Sequence, residues 1–354
     1  MPAYKDKERN TWYCSFYYTN WKGEKKLKKK RGFATKKEAV SFERSFLETQ
    51  QLDLNMNFES FWNIYLKDMK VRLRENTIIT KEYIVELKIL PYFKNKLIND
   101  IKPSDIRTWQ NSLINEGYKD TYLKTINNQL NAIFNYACRY YSLKENPCIK
   151  AGSIGKSKAQ EMQIWTKEEF NKFINCINDK PQSKMAFNTL FWTGIRIGEL
   201  LALTYKDIDF NNNTIDINKS FQRIKGKDVI TAPKTPRSKR TIKIPVSLKN
   251  ELYEYINRLY GLMEDDRIFH FTKHFLEKEL QRGIKNSGIK RIRLHDLRHS
   301  HASLLLEMGI PILEVRDRLG HEKIETTLNT YAHQYKNKQD VLADKLEEII
   351  RGGY

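Results

Sequence analysis

The chain has 354 residues, 40% of them hydrophobic and 12% aromatic, which suits two or three packed cores rather than one small one. Its 63 lysines and arginines against 43 acidic residues leave a formal charge of +20, a surplus that fits a polyanionic partner, either nucleic acid or an anionic membrane surface. No apolar run approaches the roughly 18–20 residues of a spanning helix. The opening Met1-Pro2-Ala3-Tyr4-Lys5-Asp6 has no apolar core of a signal peptide, and Cys14, Cys138, Cys148 and Cys176 are scattered without a C-x-x-C pair. A membrane association, a leader and a disulfide framework are therefore not expected, and the thiols read as reduced in a cytoplasmic protein.

The first segment runs to about residue 55. Thr11–Thr19 is rich in β-branched and aromatic residues, and Asn20-Trp21-Lys22-Gly23 supplies a turn. Lys25–Phe33 is a second strand candidate that carries Lys28, Lys29, Lys30 and Arg31. Thr35-Lys36-Lys37-Glu38 reads as a helix N-cap with a capping-box acid, and the helix extends to about Gln51. The plain reading of this sheet-plus-helix segment is a solvated charged hairpin. The functional reading is a DNA-binding module whose four basic residues neutralise phosphates.

The second segment, 57–150, is helical. Phe58, Phe61, Trp62, Tyr65 and Met69 recur at spacings of three and four, as do Ile84, Leu87 and Leu90. Pro103-Ser104-Asp105 opens a helix with Ile106, Trp109, Leu113 and Ile114 inward, and Leu123–Tyr141 supplies another. Short links predict a compact helical bundle closed by Glu145-Asn146-Pro147. Residues 151–162, small, polar and basic, read as a linker.

The third segment, 163–354, starts where Thr166 can cap a helix against Glu169. Arg196 and Glu199, in Thr193-Gly194-Ile195-Arg196-Ile197-Gly198-Glu199-Leu200, share a face if helical; alone they read as a surface ion pair. Thr214–Ile217 and Thr241–Ile244 alternate as strands, which places Lys234 near a turn between them. In Leu294-His295-Asp296-Leu297-Arg298-His299, the histidines stand at metal-ligand spacing. No glutamate fills the base position of H-E-x-x-H, and Arg298 would repel a cation, so no metal is expected. The last motif is Leu319-Gly320-His321, followed ten residues after the histidine by Tyr331. Beyond it, Leu342, Leu346, Ile349 and Ile350 form an apolar stripe.

Taken in order, T-G-x-R-x-x-E-L, the K-T of a hairpin, H-x-L-R-H and L-G-H with its following tyrosine resemble the tyrosine recombinase (phage integrase) family over about residues 163–335. The resemblance implies a catalytic set of Arg196, Lys234, His295, Arg298, His321 and the nucleophile Tyr331, with Glu199 in support. It implies metal-free, ATP-independent DNA cleavage and rejoining through a 3′-phosphotyrosine, without a cofactor. The expected fold is multidomain, mainly α with small β-sheets. An arm-type DNA-binding domain (1–55) precedes a helical core-binding bundle (57–150), a linker (151–162) and an α+β catalytic domain with a C-terminal tail helix (163–354). The tail stripe either packs on its own domain or, as the family implies, docks on a neighbouring protomer. The implied partners are double-stranded DNA attachment sites, a homotetramer on DNA, an excisionase and a host DNA-bending protein, at a bacterial nucleoid. The competing readings are a catalytically silent DNA-binding protein and a type IB-like topoisomerase. A two-metal nuclease lacks a convincing set of carboxylates.

Overall fold

The structure is a computed structural model that describes residues 3–6, 10–19, 25–52, 56–157, 163–233, 235–331, 343, 346–347 and 349–351. Within these, the side chains of Thr19, Ser45, 47–52, Thr326 and 329–331 lie outside the description. The chain divides into two compact units, residues 1–160 and 161–354.

In the first unit, β1 (Ala3–Asp6), β2 (Thr11–Thr19) and β3 (Lys25–Phe33) form an antiparallel sheet in that order, covered on one face by α1 (Lys36–Leu52). The period of two turns Trp12, Cys14 and Phe16 toward Ala39, Phe42 and Phe46 of the helix. Register then divides the basic run. Lys28 pairs with Phe16 and Lys30 with Cys14, so both stand on the helix side, Lys30 4.1 Å from the Phe42 ring and Lys28 5.3 Å from that of Phe46. Lys29 and Arg31 pair with Ser15 and Tyr13 on the open face, 4.8 and 5.7 Å from the Tyr13 ring. Thr35 Oγ1 accepts from the Glu38 N–H as expected for a cap, but the Glu38 carboxylate reaches back to the Ala34 N–H.

The same unit holds a helical bundle: α2 (Phe58–Arg72), α3 (Glu75–Ile84), a π-helical turn Val85–Ile89, α4 (Leu90–Phe93), α5 (Pro103–Asn115), α6 (Asp120–Tyr140) and α7 (Pro147–Ala151). Phe58, Phe61, Trp62 and Tyr65 are buried with Phe93, Trp109 and Phe134. Two expected core positions are not core. Leu87 is 51% exposed, because the extra residue in the π turn rotates Val85 and Ile89 inward instead. Ile114 is 47% exposed; the inward stripe of α5 is Ile106, Trp109, Gln110 and Leu113. The buried Gln110 amide nitrogen donates to Asn127 Oδ1 and the Gly152 carbonyl, which satisfies both of its N–H groups. Asn146 caps α7, and Ala151 and Ile154, in the stretch that reads as a linker, are buried in the bundle core.

In the second unit, α8 (Lys167–Asn175) carries the expected reciprocal cap between Thr166 and Glu169. The hydrophobic α9 (Pro181–Thr193) runs through the core, with Phe191 stacked on Phe170. The short α10 (Ile197–Leu200) leads to β4 (Ile208–Asp209) and β5 (Thr214–Ile217). Where a turn is expected there is a full hairpin, β6 (Ser220–Ile224) and β7 (Lys227–Thr231). Its two-residue turn, Lys225-Gly226, has both φ angles positive, as a right-twisted hairpin requires. After it, β8 (Arg240–Lys243) pairs with β5 to give the antiparallel order β4-β5-β8. The helices α11 (Val246–Asn257), α12 (Lys273–Ser287), α13 (Asp296–Glu307), α14 (Ile312–Leu319) and α15 (Ile324–Tyr331) follow. Of the tail stripe, Leu346, Ile349 and Ile350 are exposed, and Leu342 lies outside the described residues. Among the described residues no helix is long and apolar enough to cross a membrane.

Candidate active site

The site is built around the end of α9. That helix stops at Gly194, which adopts a left-handed conformation with φ +67°. A Cβ there would lie 2.5 Å from the His301 ring and 3.0 Å from Leu319, so only glycine fits both the turn and the close approach. The chain leaves this turn extended at Arg196, whose N–H and Nη1 both donate to the Glu199 carboxylate at 2.8 Å. Glu199 is 4% exposed, so the pair is not the surface ion pair that its spacing alone suggests. On the other side Arg240 of β8 donates to the same carboxylate through Nη1 and Nη2, at 3.3 and 3.0 Å. Burial pushes the Glu199 carboxyl up, but Arg240 and then Arg196 outweigh it and hold the group below the usual carboxylate range.

Arg298 stands one turn into α13 and is 2% exposed. Its Nη1 donates to the Gly194 carbonyl at 2.8 Å and its Nη2 to the Leu319 carbonyl at 2.6 Å. A guanidinium out of water needs such acceptors, and its rigid fork then has a fixed direction. His295 is the residue that starts α13, and its ring meets that of His299 edge to face, 5.0 Å apart. Burial and then Arg298 push the His295 imidazole down. His299 is pushed to about 4, by burial and then by His295. Both rings are therefore neutral near pH 7.

The third wall is the end of α14. Gly320, at φ +68°, ends the helix, and the His321 N–H bonds back to the Arg316 carbonyl, the 6→1 bond of a Schellman cap. The L-G-H tripeptide is thus a helix terminus, and its free carbonyls do the organising. Those of Arg318, Leu319 and Gly320 each accept from a different guanidinium, of Arg240 (2.7 Å), Arg298 (2.6 Å) and Arg196 (3.2 Å) respectively. Cations are favoured at the carbonyl end of a helix. The His321 Nδ1 lies 2.9 Å from the buried Thr327 hydroxyl on α15. Burial, then Arg298 and Arg196, push the His321 imidazole to about 3, so it too is neutral.

Arg196, Glu199, Arg298 and His321 thus belong to one connected hydrogen-bonded and charged network, with His295 electrostatically coupled to it. Lys234 lies outside the described residues. Tyr331, the last residue of α15, is described in its backbone only. Among the described residues no group of three His, Cys, Asp or Glu side chains could hold a metal ion. Reading the sequence for chemistry passes over four members of the network: Arg240, Arg318, His301 and Thr327. Arg318 donates to His301 Nε2 and to the Lys243 and Trp192 carbonyls, and so braces the ring under Gly194. One of the four leaves a trace: Arg240 alternates with the buried Ile242 and Ile244, a basic residue on the apolar face of a strand.

The three-carbonyl terminus thus gathers Arg196, Arg240 and Arg298 beside His321 at the end of α14, and α15 ends at Tyr331. Comparison with known proteins identifies the family. Residues 163–338 match the model of the Phage integrase family, residues 57–114 that of a phage integrase N-terminal SAM-like domain, and residues 2–50 that of an Arm DNA-binding domain. The ICEBs1 integrase of Bacillus subtilis is 33% identical over 340 residues, covering 90% of this chain and 91% of the relative. A XerC-like tyrosine recombinase of Caldanaerobacter subterraneus is 27% identical, over 89% and 90%. The Tn1549 transposon integrase in complex with transposon right end DNA superposes with a TM-score of 0.70 at 21% identity, over 82% of this chain and all of that one. A lambda integrase tetramer bound to a Holliday junction gives 0.60 at 18%, over 91% and 96%. The chain belongs to the phage integrase family and is a tyrosine-type site-specific recombinase. These relatives do not favour a silent DNA-binding protein or a topoisomerase.

Proposed function

We propose that this recombinase integrates and excises a bacterial mobile element by metal- and ATP-independent strand exchange, with Tyr331 as the nucleophile. The observation that carries the reading is the arginine network. Arg196 and Arg298 are anchored by carbonyls and by Glu199, which fixes the direction of two guanidiniums whose planar, multi-donor geometry suits the non-bridging oxygens of a phosphate. The Tyr331 oxygen bonds to phosphorus and the bond to the 5′ oxygen breaks. The phenolic proton leaves to a neutral imidazole or water, and the 5′ oxygen takes a proton from Lys234. His295 and His321, both neutral, hydrogen-bond the phosphate or assist this proton movement. The phosphotyrosine conserves the energy of the cut backbone, so religation is the reverse step.

The working division is an arm domain in 1–55, a core-binding bundle in 57–150, a linker in 151–162 and a catalytic domain in 163–354. Lys28, Lys29, Lys30 and Arg31 contact arm DNA, and Lys29 and Arg31 lead on the open face of the sheet. The active assembly is a homotetramer on attachment-site duplexes in the bacterial cytoplasm, at the nucleoid, aided by an excisionase and a host DNA-bending protein. The exposure of Leu346, Ile349 and Ile350 supports docking of the tail on a neighbouring protomer over packing at home. The test is a nicked suicide duplex from the element's end, incubated with protein in EDTA and run on a denaturing gel. A covalent adduct with wild type and none with Tyr331→Phe is expected. An adduct that persists in the variant moves the nucleophile elsewhere, and no adduct on a site that is bound leaves a binding-only protein.

A further inference from the structure

We propose that Arg240 is a positioning residue for strand cleavage: from β8 it ties the Glu199 carboxylate to the end of α14, and so sets where Arg196 and His321 point. This rests on the reading of Arg196 and His321 as phosphate ligands. The Arg240 side chain is 7% exposed and spends its guanidinium on protein groups. Nε donates to the Arg318 carbonyl (2.7 Å), Nη1 to Glu199 Oε1 and the Ser238 carbonyl, and Nη2 to Glu199 Oε2. Four of its five N–H directions are thus taken, which fits it poorly as a DNA ligand and well as a strut.

What the strut joins is specific. Glu199 is the shared acceptor of Arg196 and Arg240, and Arg196 also reaches the Gly320 carbonyl, two residues beyond the one that Arg240 holds. Gly320 itself sits on Arg240: a Cβ there would lie 3.1 Å from its Cδ. Moving Arg240 therefore loosens both ends of the Arg196 anchor and the turn that presents His321. Among the described residues, the charged groups facing Glu199 are Arg196 from the turn before α10 and Arg240 from β8, while β6 meets α10 through Ser220 and Phe221 at Gly198. Around Arg240 stand Arg318 and, in the 3–10 turn before β8, Arg237, which pairs with Asp317. With Arg240 gone, one guanidinium remains against the burial of Glu199, and the carboxylate takes a proton at higher pH. Protonated, it anchors Arg196 through a neutral contact only.

The experiment follows covalent adduct formation on the same suicide duplex from pH 6 to 9, with binding to the duplex and thermal unfolding measured beside it. The series is wild type, Arg240→Lys, Arg240→Met and Arg240→Met with Glu199→Gln. The methionine variant should bind DNA within about threefold of wild type. It should cleave at least tenfold more slowly at pH 6.5 and recover much of the loss by pH 8.5. Lysine, which keeps a charge but not the fork, should displace the acid limb less. The double variant should lose the displaced limb. Acid limbs that superpose on wild type in both single variants, whatever the rate, would overturn the proposal and leave Arg240 a structural residue. Should the methionine variant not fold, the lysine variant decides alone, a displaced limb supporting the proposal and a superposed one overturning it. A wild type without a Tyr331-dependent adduct is a different failure, since it removes the functional reading on which the proposal stands.

Discussion

The cations of the N-terminal sheet and those of the second unit carry the same charge under opposite constraints. Lys29 and Arg31 lie exposed on a strand face, leaning on the Tyr13 ring, with Arg31 also 3.6 Å from the Asp6 carboxylate, where they can meet a phosphate track. Arg298 and Arg240 are buried, and carbonyls and a carboxylate fix their forks. A displayed cation contributes by neutralising charge, in small and nearly additive steps. A held cation contributes by direction, so its loss is large and spreads to its neighbours.

The strongest way to break this contrast is to keep the charge and remove the direction. Arg298→Lys keeps the charge but replaces the two separated nitrogens that reach the Gly194 and Leu319 carbonyls with a single one, so the planar fork and its fixed direction are lost. Adduct formation should fall by about 10²–10³-fold, the size of losing one oxyanion donor, while duplex binding changes little. A lysine variant that cleaves within tenfold of wild type would show that charge alone suffices. Next in size is Gly194→Ala. It adds strain at φ +67° and a Cβ 2.5 Å from His301, which should cost about 2–4 kcal/mol in urea unfolding. Gly226→Ala has a positive φ too but open space around it, and should cost only about 1 kcal/mol. Equal losses would mean that the packing under Gly194 is unimportant.

How far the sequence could be read follows the same division. Period-two and period-3.6 patterns are local, so the N-terminal sheet, the face of α2 and the caps of α8 are legible from their own residues. The exceptions are local too: a π turn carries no compositional signature, so it hid the exchange of Leu87 for Val85 and Ile89. Arg196, Arg298 and His321 can be singled out in the sequence because the family resemblance rests on an ordered set of motifs that contains them. Their supports are less legible: beyond the trace that Arg240 leaves on its strand, Arg240 and Arg318 act through the carbonyls of Arg318, Lys243 and Trp192, 75 or more residues away, and His301 acts through Arg318, contacts between elements that leave no spacing to read. The β6–β7 hairpin is not legible because Thr214–Ile217 and Thr241–Ile244 read as neighbours across a turn. They do pair, with the hairpin inserted between them.

A smaller effect sharpens the comparison through acid. His301 is buried against Arg318; burial and then Arg318 push its imidazole to about 3, from an ordinary 6.5. The unfolded chain takes up the proton first, so stability is unaffected above about pH 6.5 and falls as pH drops from there toward 3. Each such histidine steepens the fall by at most ~1.4 kcal/mol per pH unit, and His299 and His321 act in the same direction. Unfolding midpoints measured from pH 7.5 to 5 should drop below pH 6.5. His301→Gln, whose amide oxygen can still accept from Arg318, should flatten the drop by about one proton. An unchanged slope would place the proton uptake elsewhere.

The smallest effect belongs to the displayed cations, and it separates the two faces of one strand. Lys29 and Arg31 stand on the open side of the sheet, whereas Lys28 and Lys30 lie near the rings of Phe46 and Phe42 beside α1. Each phosphate neutralised adds about 0.9 to the slope of log affinity against log salt. Lys29→Ala with Arg31→Ala should therefore lower the slope on a duplex from the element's end by about 1.8. Lys28→Ala with Lys30→Ala should lower it less, but should lower the unfolding midpoint more, because those stems cover the aromatic contact between helix and sheet. Equal slopes for the two pairs would mean that DNA wraps the sheet edge instead of lying on its open face. A larger slope change for Lys28 and Lys30 would place the phosphates on the helix side.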